Sequence, residues 1–218
     1  METKYLIAYT SNAGSTQEVA EAVAGAVAEA MAEAIAFEVG KSGPAVDVRR
    51  LEDVDDLSSY AGVVIGGPMI MGWHRKAVKF IKKHQKALSQ IPVAYFITAM
   101  SLTKTGDTQI NDVPVSVDPN LPKEPKNPGR LSLAEKYATA RHYVGPVLRA
   151  ESHIRPVSVA IFGGKLEYFR LKLLQMLFVM LIIRAQPGDR RNWPAIQEWA
   201  AGLPQLFSSN LVRISPKE

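Results

Sequence analysis

A chain of 218 residues that is 47% hydrophobic can bury one sizeable core but is short for two, so residues 1–218 are read as a single domain. The absence of cysteine excludes disulfides, a thiol nucleophile, thiolate-held iron-sulfur clusters and cysteine-ligated zinc; no metal site is read, and redox chemistry would need a borrowed cofactor. The formal charge of +5 is uneven: residues 1–60 hold 11 acidic and 4 basic side chains, net −7, leaving +12 for the rest. Such a field attracts anions, whether lipid headgroups, nucleic acid or carboxylate-bearing small molecules, and an ordinary solvated basic surface fits it equally. No recognition motif accompanies the charge, so nucleic acid is set aside. The first residues lack a basic region followed by a long apolar core, and a cytosolic chain is expected.

In chain order, "KYLIAYT" (4–10), "AVDVRR" (45–50), "AGVVIGG" (61–67), "IPVAYFITA" (91–99) and "PVSVAIFGG" (156–164) are short, rich in β-branched or aromatic residues, and bounded by Gly, Pro or Ser. These are five predicted strands. Helical patterns cover 15–37, 74–88, 131–149 and 192–207, while the crossover "LEDVDDLSSY" is too short for a clear helix. Strands that are apolar throughout fit a parallel sheet covered on both faces, hence a doubly wound α/β fold. Residues 101–130, rich in proline and polar side chains, predict a long ordered loop or flap. The segment 165–191 is basic and apolar, with Leu171 to Ile183 interrupted only by Lys172 and Gln175. That run is shorter than the roughly 20 apolar residues of a spanning helix. A helix at about 166–185 lying in a membrane interface suits it, and so does a helix buried in the core or in a dimer contact.

Ligands of doubly wound sheets bind beyond the carboxyl ends of the strands. The loop after the first strand, "YTSNAGST", offers the hydroxyls of Thr10, Ser11, Ser15 and Thr16, a permissive Gly14, and the N–H groups of a helix start. It matches neither G-x-x-x-x-G-K-[ST] nor G-x-G-x-x-G, so a phosphate monoester is favoured over a triphosphate or dinucleotide. An ordinary helix cap accounts for the same residues. "GGPMIMGWHR" (66–75) and "TAMSL" (98–102) leave the third and fourth strands at the same edge and could flank a flat ring. Trp73 is either a stacking ring or core, His74 either a proton acceptor or a cap, and Trp193 and Trp199 are assigned to packing.

"YTSNAGSTQEVA" resembles the phosphate loop of flavodoxins, which bind FMN. Together with "VVIGGPMIMGWHRKAVKFIKKHQKALSQIPVAYFITAMSL" and "IFGGKLEYFRLKLLQMLFVMLIIRAQPGDRRNWPAIQEWA", it is similar to the flavodoxin-like, quinone-dependent protoporphyrinogen IX dehydrogenases, which carry a comparable insertion before the last helix. The resemblance implies a flavodoxin-like sheet of five parallel strands in the order 2-1-3-4-5. It implies an FMN flavoprotein of haem biosynthesis that passes electrons from protoporphyrinogen IX to a quinone, with no side chain obliged to act. The implied FMN contacts are Thr10, Ser11, Asn12, Ala13, Gly14, Ser15 and Thr16 at the phosphate, with Pro68, Met69, Ile70, Met71, Gly72, Trp73, Thr98, Ala99, Met100, Ser101 and Leu102 around the ring. Arg75, Lys165, Arg170 and Lys172 would meet substrate carboxylates, and 165–191 would give peripheral contact with the cytoplasmic membrane face. A homo-oligomer is compatible. The segment 103–130 departs from the family pattern. A soluble flavodoxin-type electron carrier and a noncatalytic binding module are the other readings, the first opposed by the basic pI of about 9.4.

Overall fold

The computed structural model describes residues 4–11, 14–36, 45–69, 72–127, 129–150, 153–166 and 187–214. Strand β1 (Lys4–Tyr9) leads into α1 (Ser15–Ala36), β2 (Ala45–Arg50), a single 3-10 turn at Leu51–Asp53 and β3 (Gly62–Pro68). Helices α2 (Arg75–Lys83) and α3 (Gln85–Leu88) precede β4 (Val93–Ala99). Four short strands follow: β5 (Leu102–Thr103), β6 (Gln109–Ile110), β7 (Val113–Val117) and β8 (Pro122–Lys123). Helices α4 (Leu133–Tyr137) and α5 (Ala140–Ala150), β9 (Ser158–Gly163), β10 (Lys165–Leu166), β11 (Gly188–Asp189) and α6 (Trp193–Ile214) complete the described elements.

The central sheet runs β2-β1-β3-β4-β9-β7-β6, with every pairing parallel except β6 with β7. Alternation along each strand divides the core. Leu6, Ala8, Val63, Ile65, Val159 and Ile161 face one cluster, beneath α2, α3 and α5; Tyr5, Ile7, Val64, Phe96, Ala160 and Phe162 face the other, beneath α1 and α6. On α2, Ala77, Phe80 and Ile81 are buried while its lysines point outward, the stripe expected of a helix laid on a sheet. Helix α1 owes its fit to small residues: Ala20 and Ala24 let it lie close to Ala200 and Leu203 of α6.

The expected count of five strands is too low, and the expected loop at 101–130 is not a loop throughout. Strands β6 and β7 extend the sheet by a hairpin, and β5 pairs with β8 beside it. Its turn is Asn111-Asp112, both with positive φ (51° and 63°), the two-residue mirror-image turn that Asn and Asp tolerate. Pro114 does not stop β7 because it stands on the exposed side, while Val113 and Val115 are buried. The expected helix at 166–185 lies, beyond Leu166, outside the described residues; β10 and β11 on either side pair antiparallel.

The addition is anchored by Asp118, a carboxylate only 2% exposed. It accepts from Asn192 Nδ2 (2.9 Å), the Gly163 N–H (3.3 Å) and the Asn120 N–H (3.0 Å), while its own N–H donates to the Ile161 carbonyl (2.9 Å). One side chain thus ties the end of β7 to the end of β9 and the start of α6. Replacing Asp118 by Ala strands three donors, and we expect a loss of about 3 kcal/mol in urea unfolding, with Asp118→Asn retaining part of it.

Candidate functional site

Three loops leave β1, β3 and β4 at the carboxyl edge of the sheet, and hydrogen bonds join them. The Thr10 N–H donates to the Gly66 carbonyl (3.0 Å), the Met69 N–H to the Thr98 carbonyl (2.8 Å), and the Thr16 and Thr98 hydroxyls meet at 3.1 Å. Thr10, Thr16 and Thr98 are all buried, so these contacts are internal struts of the edge.

In the first loop Ser11 Oγ accepts the Gly14 N–H (2.9 Å), and the Gln17 and Glu18 N–H groups turn back to the Gly14 carbonyl (2.9 and 3.2 Å). Gly14 has φ of 89°, a conformation that costs glycine little, and it lets the loop wrap the start of α1. Half-buried Ser11 and Ser15 stand at that helix start, where first-turn N–H groups lack intrahelical partners. The donors suit a dianionic phosphate, so the residues present fit FMN's phosphate monoester. Asn12 and Ala13 lie outside the described residues.

The second loop closes on itself through an antiparallel bridge from Met69 to Trp73, with Gly72 at φ of 119°. Trp73 points inward. Its ring is 6% exposed, lies 5.1 Å from Tyr95, and Nε1 donates to the Gly67 carbonyl (3.3 Å), so it supports the loop from beneath. Pro68 is half-buried; Ile70 and Met71 lie outside the described residues. His74 caps α2 by accepting the Lys76 N–H at Nδ1 (3.2 Å). Burial first, and nearby Lys76 second, hold its pKa below the usual histidine value, which keeps the imidazole neutral at neutral pH. Arg75 follows, exposed on the first turn of α2.

In the third loop Ala99 and Leu102 are buried, Met100 is half-buried and Ser101 exposed. Three successive carbonyls are engaged from outside: Ala99 accepts from the Gly164 N–H (2.8 Å), Met100 from Arg190 Nη1 (2.8 Å) and Ser101 from the Tyr143 hydroxyl (2.9 Å). Lys165 lies in β10; Arg170 and Lys172 are outside the described residues.

The sequence reading missed the short run Arg190-Arg191-Asn192. Arg191 is nearly enclosed, its side chain 5% exposed, and it donates to Glu18 on the first turn of α1 (2.5 Å) and to both oxygens of Asp189 (2.8 and 2.5 Å), with its guanidinium 4.6 Å from the Trp193 ring centroid. The Arg191 hydrogen bonds hold the Asp189 carboxyl below its ordinary value, and the same bonds raise Arg191. One signal was available: Asn192 precedes the last helix as a cap, accepting from the Ala195 N–H at its side chain (3.5 Å). At Gly66 an added Cβ would lie 1.9 Å from the Phe96 ring, so packing requires glycine.

A flavodoxin domain model matches residues 6–192. The protoporphyrinogen IX dehydrogenase [quinone] of Escherichia coli K12 is 24% identical over 199 residues, covering 90% of this chain and 88% of that protein. Among solved structures, an oxidoreductase from Corynebacterium diphtheriae aligns with a TM-score of 0.48 at 17% identity, covering 96% of this chain and 98% of that one. The two-electron reduced flavodoxin of Megasphaera elsdenii aligns at 0.47 and 15%, covering 90% and 98%.

Replacing Arg191 by Ala leaves two carboxylates without their cation, and we expect a loss of about 2 kcal/mol by urea unfolding. Asp189 has a folded pKa below its ordinary value of 3.8, so its share of that difference is present above about pH 4 and lost as pH falls through the folded value. The gap between wild type and variant should therefore be flat from neutral pH downward and narrow only below that point.

Proposed function

The chain belongs to the flavodoxin domain family, and on that premise we propose that it is an FMN-dependent oxidoreductase. It takes electrons from a reduced substrate, protoporphyrinogen IX first among them, and passes them to a quinone at the cytoplasmic membrane face. The observation that carries the reading is the cross-bonded edge at Thr10, Gly66, Met69, Thr16 and Thr98, where hydrogen bonds join the loops after β1, β3 and β4. The 24% identity to the Escherichia coli dehydrogenase along nine-tenths of the chain supports the substrate and acceptor.

Bound FMN would supply the two-electron redox chemistry. The chain's own work is placement. Ser11, Gly14, Ser15 and Thr16, with Asn12 and Ala13, would hold the phosphate; Pro68 to Gly72 and Thr98 to Ser101 would border the ring, with Trp73 and Leu102 packing beneath. The struts fix the three loops relative to one another. Among the described residues no helix is long and apolar enough to cross a membrane. Peripheral contact is assigned to 165–191, whose flanks meet in the β10–β11 ribbon.

Protein purified without detergent should show a flavin absorption spectrum, or acquire one with added FMN; a colourless protein that ignores FMN would sink the proposal. Thr16→Val removes the hydroxyl joining the first and third loops, and FMN titrated by fluorescence quenching should bind about tenfold more weakly, the worth of one buried hydrogen bond. With Leu177→Asp and Ile182→Asp together, liposome flotation should fall to background while the flavin spectrum persists.

A further inference from the structure

Beside the third loop, the stretch around Asp107 and helices α4 and α5 line a wide-mouthed surface cavity of about 480 Å³ that none of the roles above uses. Lys136, Arg141, Arg149 and His142 line it, together with apolar Leu131 and Pro146. One carboxylate, Asp107, shares the wall; it accepts from Thr105 Oγ1 (2.7 Å) and lies 3.3 Å from Arg141, so it orders that arginine and leaves an excess of positive charge. Among the described residues Lys136 and Arg149 have no ion-pair partner.

The helix itself is built around this opening. Gly145 and Pro146, both unfavourable in a helix interior, stand side by side in α5. A Cβ at Gly145 would lie 3.1 Å from an Arg149 guanidinium nitrogen, so glycine gives that side chain room to fold back along the helix. Apolar surface continues outward from the mouth. Leu133 and Tyr137, one helical turn apart on α4, are 73% and 62% exposed, and the Tyr137 ring meets His142 edge-on at 4.8 Å. A small inorganic anion would use the cations and leave this surface idle, whereas an acid with a broad apolar body uses both.

Location narrows the role. Tyr143 of α5 donates to the Ser101 carbonyl, and the Thr103 N–H donates to the Ala138 carbonyl between α4 and α5 (2.7 Å). The two helices that line the cavity are therefore hydrogen-bonded to the third loop and to β5 that follows it. We propose that this cavity is the carboxylate anchor of an amphiphilic polycarboxylate substrate, with Lys136 and Arg149 taking the acid groups and Tyr137 and Leu131 the apolar body. That the ligand is a substrate rests on the flavoenzyme reading; that it binds here does not.

The test uses coproporphyrin III, a fluorescent tetrapyrrole with four propionates, titrated by anisotropy against the full-length protein with and without FMN. Saturable binding that weakens with added salt is expected, and it should fall by at least about tenfold in the Lys136→Ala, Arg149→Ala double variant. Lys136→Arg should retain it, and the double variant should keep wild-type flavin content and urea midpoint. Equal affinity in wild type and double variant would overturn the assignment. Pyrophosphate competing as well as the porphyrin would overturn the polycarboxylate in favour of a phosphate ligand. Cavity-dependent binding by a protein that takes up no flavin would support the anchor while refuting the redox reading, so the two stand or fall separately.

Discussion

Three consecutive side chains hold the carboxyl edge of the sheet in register. Arg190 donates to the Met100 carbonyl of the third loop, Arg191 to Glu18 at the head of α1, and Asn192 to buried Asp118 at the end of the added strands. The backbone makes this reach possible. An added Cβ at Gly163 would lie 1.8 Å from the Arg190 carbonyl, so β9 and the run before α6 touch main chain to main chain only because that position is glycine. Remove the close approach and all three side chains lose their starting points together. The third loop, the head of α1 and the added strands are thus braced from one place outside themselves.

Glycine plays a second part in the middle of the sheet. Strand β3 reads "GVVIGGP", three glycines where a parallel central strand would favour branched residues. Two are filled by rings. Phe207 of α6 lies 2.8 Å from where the Gly62 Cβ would be, and Phe96 covers Gly66. The third, Gly67, faces the Trp73 indole. Strand propensity is given up for aromatic area buried against backbone, and the same three rings position β3 against α6, β4 and the second loop.

Residues with strong local signals were legible from sequence. The five expected strands and the helices expected at 15–37 and 192–207 follow from period and composition, and they have counterparts in β1, β2, β3, β4, β9, α1 and α6. The hairpin at 109–117 was not, because its turn is Asn-Asp without glycine and its longer strand carries a proline on the exposed side. The expected 131–149 helix is two helices, parted where Ala138 ends α4 and Thr139 Oγ1 accepts the His142 N–H to start the next. The Arg190 to Asn192 brace was illegible for another reason. Its partners lie up to 173 residues away, at Glu18, and no local pattern reports which carboxylate an arginine will meet. Trp73 shows the same limit: a loop tryptophan can turn outward or inward, and only its tertiary contact with Tyr95 decides.

The charge division along the chain takes on a different meaning once folded. Acidic residues of the first part meet basic residues of the second at Glu18 with Arg191, Glu52 with Lys76, and Asp55 with Lys83. Exposed pairs such as Lys83 with Asp55 contribute about 1 kcal/mol or less, so their importance lies less in stability than in where they leave the field. Around α2 two lysines, Lys76 and Lys83, meet acidic partners of the crossover. Along α4 and α5, Lys136, Arg141 and Arg149 face a single aspartate in the cavity wall. Part of the anion-attracting field inferred from net charge therefore lies along α4 and α5. That part stands beside the third loop, where, on the proposal above, a ligand's acid groups would be held.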